Sequence, residues 1–372
     1  MIDQRYQRSR YSWPTFAFQT RQAFDEKRLM YYCVMCWVCR GCNSGSDEAA
    51  SLMEESMDIL GIGGVALDTI QVVDHLPIRD GFSTVLSTHR TLGGSGVNVL
   101  VQAQKLGAQT ASISKVSNDD DSRRIIDCLV RDGIDVRGVI SDTHGYPAPH
   151  CLIYVDGDGE KCLILDGGEG MPALNEEEAR LELVDETSVL YLDLNPPELS
   201  LKAARQAKEL GKKVVLNLQE DLQTVLAKGI DTTFIRRFLR YVDVFAPCQA
   251  SIRPWSGSDD PQEQISFIRQ FFAGTIVLTL ADQGVAACDE DGRTVTLPAF
   301  DVAVKDTTGA GDAFIGAFMT QLLIGARPLR DSLLFSSACA AMTCQELGAQ
   351  SSPDFTQASN FLSTHSLEVT HE

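Results

Sequence analysis

From Met57 onward the sequence alternates short β-branched runs with helix-like stretches, and that alternation limits the fold more than any other feature. Strand-like runs fall at Asp58–Val65, Thr110–Val116, Ser188–Leu194, Lys213–Leu218, Val242–Phe245 and Thr275–Leu280. Helix-like stretches lie between them at Gly96–Leu106, Ser122–Asp132, Leu199–Leu210 and Gln262–Phe272. Gly107, Gly133 and Gly211 follow three of these, where a left-handed C-cap is wanted. Strands alternating with helices over short connections predict an α/β fold: a mostly parallel sheet with helices on both faces.

Two regions break the alternation. Residues 66–91 read as extended segments without a helix, and 149–166 (PHCLIYVDGDGEKCLILD) read as a hairpin around a DGDG turn. Together they predict a small antiparallel sheet standing apart from the main one, although ordinary edge strands would read the same. A sheet with one open apolar face has to cover a ligand cleft or a partner subunit.

The chain has 372 residues, 44% of them apolar, enough for one large α/β domain or two medium ones. Its net charge of −19 argues against nucleic acid or an anionic membrane as the main partner. It leaves room for a small anionic ligand, which backbone N–H groups can hold whatever the global charge. Seven cysteines scattered after residue 56 suggest buried thiols in a reducing compartment, hence a cytoplasmic protein.

Residues 1–56 look foreign to the rest. The first fifty carry seven Lys/Arg and five Asp/Glu, a net +2 that leaves −21 for the remainder. Cys33, Cys36, Cys39 and Cys42 fall there, in YYCVMCWVCRGC. The run admits an iron–sulfur cluster, a zinc site, a signal peptide or an interaction tail. The preferred expectation is a natural start at Met53 or Met57, with the upstream stretch outside the fold. The segment 353–372 is expected as a polar tail containing a short helix.

The stretch 306–314 reads DTTGAGDAF, with apolar residues continuing from Ala313. Gly309, Ala310, Gly311 and Asp312 therefore fall at the first turn of a helix, where backbone N–H groups are unpaired and the dipole is positive. Residues without bulk let a phosphate come close to those groups. A turn that happens to precede a helix explains one glycine well. It explains less well three small residues before an acid. A carboxylate beside an anion hole makes sense where it takes a proton from a hydroxyl attacking phosphorus.

The run D-T-T-G-A-G-D-A-F-I-G-A-F-M resembles the C-terminal motif of the PfkB family, the ribokinase-like carbohydrate kinases. Gly93-Gly94-Ser95-Gly96-Val97-Asn98 is similar to the family's other motif, and Gly107 follows at the family's spacing. The resemblance covers about Asp58 to Ser352, a kinase domain of residues 57–352 with a β lid from about 66–91 and 149–166. It implies a ribokinase-like fold and ATP-dependent phosphorylation of a sugar or related small polyol. Asp312 would be the general base and Gly309, Ala310 and Gly311 the anion hole. Asp68, Gly94 and Asn98 would bind the acceptor. Thr279 and Gly284 would lie under the nucleotide and Ser337 near its adenine. Asp306, Thr308 and Ser352 fall where many members hold a monovalent cation such as K+. ATP with Mg2+ would be the cofactors, and the lid suggests a homodimer. Fructose, ribose, a keto-deoxy acid and a nucleoside all fit such a scaffold as acceptor.

Four positions depart from the family. Leu100 stands where a small residue is usual, and Ser117 and Ala281 where glycine is usual. Most seriously, the Asn-x-x-Glu pair linked to magnesium is replaced by Cys248 and Ser251, neither a good Mg2+ partner. That keeps open a relative that binds sugar or nucleotide without efficient turnover. A dinucleotide-dependent oxidoreductase is a remote alternative, since Gly61-Ile62-Gly63-Gly64-Val65-Ala66 fits G-x-G-x-x-A. That fingerprint needs a helix next, and LDTIQVVDHLP reads as extended.

Overall fold

The computed structural model describes residues 57–166, 173–220, 222–227 and 229–367. Residues 1–56, with Cys33, Cys36, Cys39 and Cys42, lie outside the described residues, so the expectations placed on them are not addressed.

Thirteen strands form two sheets among the described residues. They are β1 Met57–Ile62, β2 Ala66–Val73, β3 Val85–Gly93, β4 Thr110–Val116, β5 Asp135–Ser141, β6 His150–Val155, β7 Lys161–Asp166, β8 Thr187–Leu192, β9 Lys213–Leu218, β10 Val244–Pro247, β11 Thr275–Thr279, β12 Val285–Cys288 and β13 Thr294–Leu297. The main sheet runs β13-β12-β11-β10-β9-β8-β1-β4-β5. It is parallel from β5 to β11 and turns antiparallel at β12 and β13.

Neighbouring residues of one strand serve opposite cores, as period-two geometry requires. Ile59, Val189, Tyr191, Val215 and Val277 pack on one face with the helices Ser95–Lys105 and Ala310–Met319. Leu60, Leu190, Leu192, Leu216 and Ile276 pack on the other with the helices Pro197–Glu209 and Pro261–Arg269. Both faces are covered, which is the α/β layering expected of a parallel sheet.

Several boundaries shift from the expected ones for physical reasons. β1 ends at Ile62 rather than Val65, because Gly63 and Gly64 turn the chain out into the second sheet. β10 begins at Val244, after a 3-10 turn at Leu239–Tyr241. The expected tail is part of the fold through Thr364: helix Phe355–Thr364 has an Asp354 capping box and buries Ala358, Phe361 and Leu362. The strands β5, β12 and β13 were not anticipated.

The second sheet has the order β3-β2-β6-β7. It consists of two antiparallel hairpins that meet through a parallel β2–β6 pair. Asp68, Ile70 and Val72 stand opposite Cys151, Ile153 and Val155, so these six share a register across the sheet. After Gly61–Ala66 the chain continues as β2, so no helix follows to hold a pyrophosphate. The dinucleotide reading ends there.

Candidate active site

A cleft of about 680 Å³ opens between the second sheet and the carboxyl ends of the central strands. Open α/β sheets bind ligands at that edge, and the size suits a small molecule. Asp68, Gly94, Asn98, Thr308, Gly309 and Asp312 all line it.

Asp312 is placed by the helix Ala310–Met319, whose residues from Asp312 to Met319 are all buried. Gly309 is the N-cap with φ 79°, and a Cβ there would lie 2.5 Å from Ala349 Cα. The turn therefore needs glycine for backbone reasons as well as for any ligand. The Ala310 N–H donates a long bond, 3.4 Å, to Thr307 O within the turn. Gly311 faces the Gln219 amide, whose Nε2 would be 2.8 Å from an added Cβ.

Asp312 is 6% exposed, and its Oδ2 accepts from Asn98 Nδ2 at 2.9 Å. Its Oδ1 and the Asn98 Oδ1 are buried without a partner among the described residues. Burial pushes the Asp312 carboxyl up to about 6, while the Asn98 hydrogen bond and the Lys161 charge pull the other way. Asp68, on β2, is pushed up to about 7 by burial first, then by the charges of Asp312 and Asp306. Its carboxyl lies where a Gly93 side chain would be, only 2.0 Å from that Cβ position. Two acids thus face one cleft, each raised chiefly by lost hydration, Asp68 further by the Asp312 charge and Asp312 by that of Asp193.

The helix Ser95–Lys105 brings in Asn98, and Gly94, with φ 93°, makes the sharp entry to it. Gly63 and Gly96 let the β1–β2 crossing and this helix touch, since a Cβ on Gly63 would be 2.8 Å from Gly96 Cα. Asp193, just past β8, ties that junction together. Its Oδ2 accepts from Gly64 N at 2.9 Å and Ser95 Oγ at 3.3 Å, and its Oδ1 accepts from Asn195 N at 3.0 Å. Sequence reading missed Asp193, Asn195, Gln219 and Glu220. The available signal was their place, since all directly follow the strands β8 and β9 at the edge where ligands gather.

Thr279, Gly284 and Ser337 do not line this cleft. Thr279 ends β11 beside Cys248, Gly284 has φ 98°, and Ser337 is buried in the helix Leu329–Cys344. Asp306 is fully buried and accepts from Thr308 N at 2.8 Å and Gly348 N at 2.9 Å. Thr308 Oγ1 beside it has no partner among the described residues, which fits a cation seat. The Ser352 carbonyl accepts from Lys105 Nζ at 2.8 Å.

The replaced magnesium pair is committed elsewhere. Ser251 Oγ is shared between Leu218 O at 3.0 Å and Cys248 O at 2.7 Å, and the Cys248 thiol turns to Ser251. Among the described residues no cluster of three His, Cys, Asp or Glu side chains could hold a metal ion alone. No helix among them is long and apolar enough to cross a membrane, and their seven cysteines are unpaired.

Comparison with known proteins adds an independent observation. The profile of the pfkB family carbohydrate kinases matches residues 57–355. The ribokinase of Arabidopsis thaliana is 26% identical over 307 residues, covering 79% of this chain and 78% of that one. The 5-dehydro-2-deoxygluconokinase of Lacticaseibacillus casei is 25% identical over 333 residues, covering 86% of this chain and all of the relative. A bifunctional ribokinase/ribose-5-phosphate isomerase A of Fructilactobacillus sanfranciscensis is 26% identical over 304 residues, 79% of this chain. The match spans only 54% of that two-activity protein. Among solved structures, a ribokinase from Thermotoga maritima superposes with a TM-score of 0.68 at 25% identity, covering 82% of this chain and 99% of that one. The Arabidopsis thaliana ribokinase complexed with ribose and ATP has the same fold, with a TM-score of 0.69 at 21% identity, covering 82% and 99%.

Proposed function

This chain belongs to the pfkB family of carbohydrate kinases, and from that premise we propose that it transfers the γ-phosphoryl group of ATP to a hydroxyl of a small sugar or polyol held in the cleft. One observation carries the reading. Asp312 sits at a helix N-terminus on the cleft wall, with one oxygen fixed by Asn98 and the other unpartnered among the described residues.

The acceptor hydroxyl donates to Asp312 Oδ1 and loses its proton there as its oxygen attacks phosphorus. The N–H groups of the Gly309–Gly311 turn hold the transferring oxygens. Asp68, Gly94 and Asn98 orient the acceptor, since a buried polyol needs short, satisfiable partners. Thr279, at the end of β11, Gly284 in the turn after it, and Ser337 on the helix Leu329–Cys344 serve the nucleotide. Asp306, Thr308 and Ser352 are the residues that would hold a monovalent cation such as K+.

Magnesium offsets the charge of ATP during transfer. Cys248 and Ser251 do not fit it, so these two side chains would leave its coordination to the nucleotide phosphates and water. Glu220, a carboxylate on the cleft wall, would face its waters. The committed Ser251 hydroxyl favours a second reading, a slow or non-catalytic sugar-binding relative. Exposed Leu86 and Ile164 on the lid strands suit pairing of two lids into a homodimer.

The test is ATP consumption with a sugar panel, comparing the wild type with Asp312→Asn. Transfer that depends on Asp312 supports the kinase. Equal rates in both proteins would remove the base role, and binding without turnover would favour the second reading.

A further inference from the structure

Lys161, the first residue of β7, is a cleft-lining group that the transfer described above leaves unused. It lines the same cleft as Gly309 and Asp312. It follows the β6–β7 turn and stands opposite Val155. That turn reaches the residues leading directly into the DTTGAGD loop: a Cβ on Gly159 would lie 3.1 Å from Val304 Cγ1 and 3.4 Å from the Lys305 carbonyl oxygen. The Lys161 charge acts on the Asp312 carboxyl and on the thiols of Cys151 and Cys344. The hairpin therefore delivers one cation to the mouth of the 306–312 loop.

Its surroundings are acidic. Asp68, Glu220 and Asp312 line the cleft, and Asp306 is close enough to repel Asp68. The other lysine on the cleft wall, Lys115, is held by Asp142 at 2.9 Å and Glu178 at 3.0 Å. That leaves Lys161 as the lining lysine without such an ion pair among the described residues. A phosphoryl group in transfer spreads negative charge over its oxygens, and a cleft of carboxylates opposes its arrival. Backbone amides cover the side of that charge facing the helix and leave the opposite side to the lid.

We propose that Lys161 completes the anion hole from the lid, its ammonium pairing with the oxygens of the phosphoryl group in flight. This rests on the kinase reading above. The acceptor oxygen forms its bond to the γ-phosphorus and gives its proton to Asp312. The bond from phosphorus to the β,γ-bridging oxygen breaks, and its electron pair leaves on ADP. Lys161 keeps its protons throughout and acts only through charge.

The test compares the wild type, Lys161→Met, Lys161→Arg and Asp312→Asn. Neutral acceptors (ribose, fructose) and acidic ones (gluconate, 2-keto-3-deoxygluconate) are each assayed with ATP and Mg2+. A phosphoryl-directed role lowers kcat roughly 100-fold in Lys161→Met. Acceptor KM stays within about threefold, and the arginine variant retains more activity. A second readout needs no turnover: aluminium fluoride, which mimics the group in transfer, tightens ADP binding to the wild type and not to Lys161→Met. An unchanged kcat in Lys161→Met, with an active wild type, overturns this inference alone. So does a rise in KM confined to acidic acceptors, which would assign Lys161 to the acceptor. Absence of ATP-dependent transfer in the wild type overturns the kinase reading and this inference with it.

Discussion

Asn98 and Asp312, 214 residues apart in sequence, meet in a 2.9 Å hydrogen bond at the base of the cleft. The contact exists because the helices Ser95–Lys105 and Ala310–Met319 approach closely. Gly316 permits it, as a Cβ there would be 2.5 Å from Val99 O. The bond stabilises the ionised form of an acid that burial drives toward the neutral one.

A pH dependence follows from that balance. The proposed base Asp312 would have to be ionised, so kcat/KM is expected to rise as pH climbs through about 6. Asn98→Leu removes a hydrogen bond to a charged group, worth about 1.5–3 kcal/mol, and should move this limb up by about one to two pH units. A limb that stays in place in Asn98→Leu would show that the bond does not tune the base.

Stability should run opposite to activity. Asp68 and Asp312 are raised in the folded protein, so between about pH 4 and their folded values the folded chain binds more protons than the unfolded one. Their contribution is fully present below the ordinary carboxylate range and lost as pH rises toward about 7. Asp312→Asn is therefore expected to raise stability at pH 8 by about 2 kcal/mol, and by less at pH 5. Thermal melts at the two pH values check this, and a larger gain at pH 5 would contradict it.

Gly309 and Gly311 should fail in different ways. Gly309→Ala puts a side chain at φ 79° and 2.5 Å from Ala349 Cα. Left-handed strain of about 1–2 kcal/mol and overpacking of about 1–3 kcal/mol should lower stability and activity together. Gly311→Ala displaces only the end of the Gln219 side chain, and alanine favours the helix by about 1 kcal/mol. That variant is expected to melt near the wild type yet lose turnover, because its methyl group stands at the proposed phosphoryl seat. Retained turnover in Gly311→Ala would mean that the second glycine has no part in the anion hole.

The alternation of strands and helices was legible because β4 (TASISKV) and β9 (KVVLNL) are short runs with β-branched residues between clear helix stops. Edge strands such as β12 (VAAC) and β13 (TVTL) were not, since four residues carry no readable period. The Gly309–Asp312 turn was visible as a local motif. Asp193 was invisible, because its role arises only when β8 places it beside Gly64, 129 residues away. Lys161 looked like any charge after a DGDG turn until the hairpin carried it back over the cleft. Ser117 departs from the family's glycine at no conformational cost. It is not among the residues with positive φ, and its hydroxyl donates to Pro147 O at 3.0 Å.

Leu100 departs from a small residue for a reason found on β1. It is 1% exposed, and a Cβ on Gly61 would lie 2.9 Å from its Cδ1. The two positions share one volume. Gly61→Ala is expected to cost about 1–3 kcal/mol by overpacking, and Leu100→Ala about 2–5 kcal/mol by leaving a cavity. Together they should cost less than the two separately by about 1 kcal/mol or more, read from urea unfolding of all four proteins. Strict additivity would mean that the two sites do not compensate.

Ala281 is the departure that the fold does not absorb. It opens the Ala281–Gln283 turn with φ 54°, a conformation that favours glycine. The turn is closed by Gly284 N donating to Ala281 O at 3.1 Å and by Leu280 N donating to Gly284 O at 2.8 Å, so the backbone cannot relax without losing them. The left-handed penalty is about 1–2 kcal/mol, and glycine's greater unfolded freedom returns about 0.4–1 kcal/mol. Ala281→Gly is therefore expected to gain about 0.5–1 kcal/mol of stability. Removing the methyl group also clears backbone that the proposed nucleotide approaches, so Mg–ATP affinity, measured by calorimetry, should stay equal or tighten. A variant that melts lower and binds ATP more weakly would show that the alanine side chain itself supports the nucleotide loop.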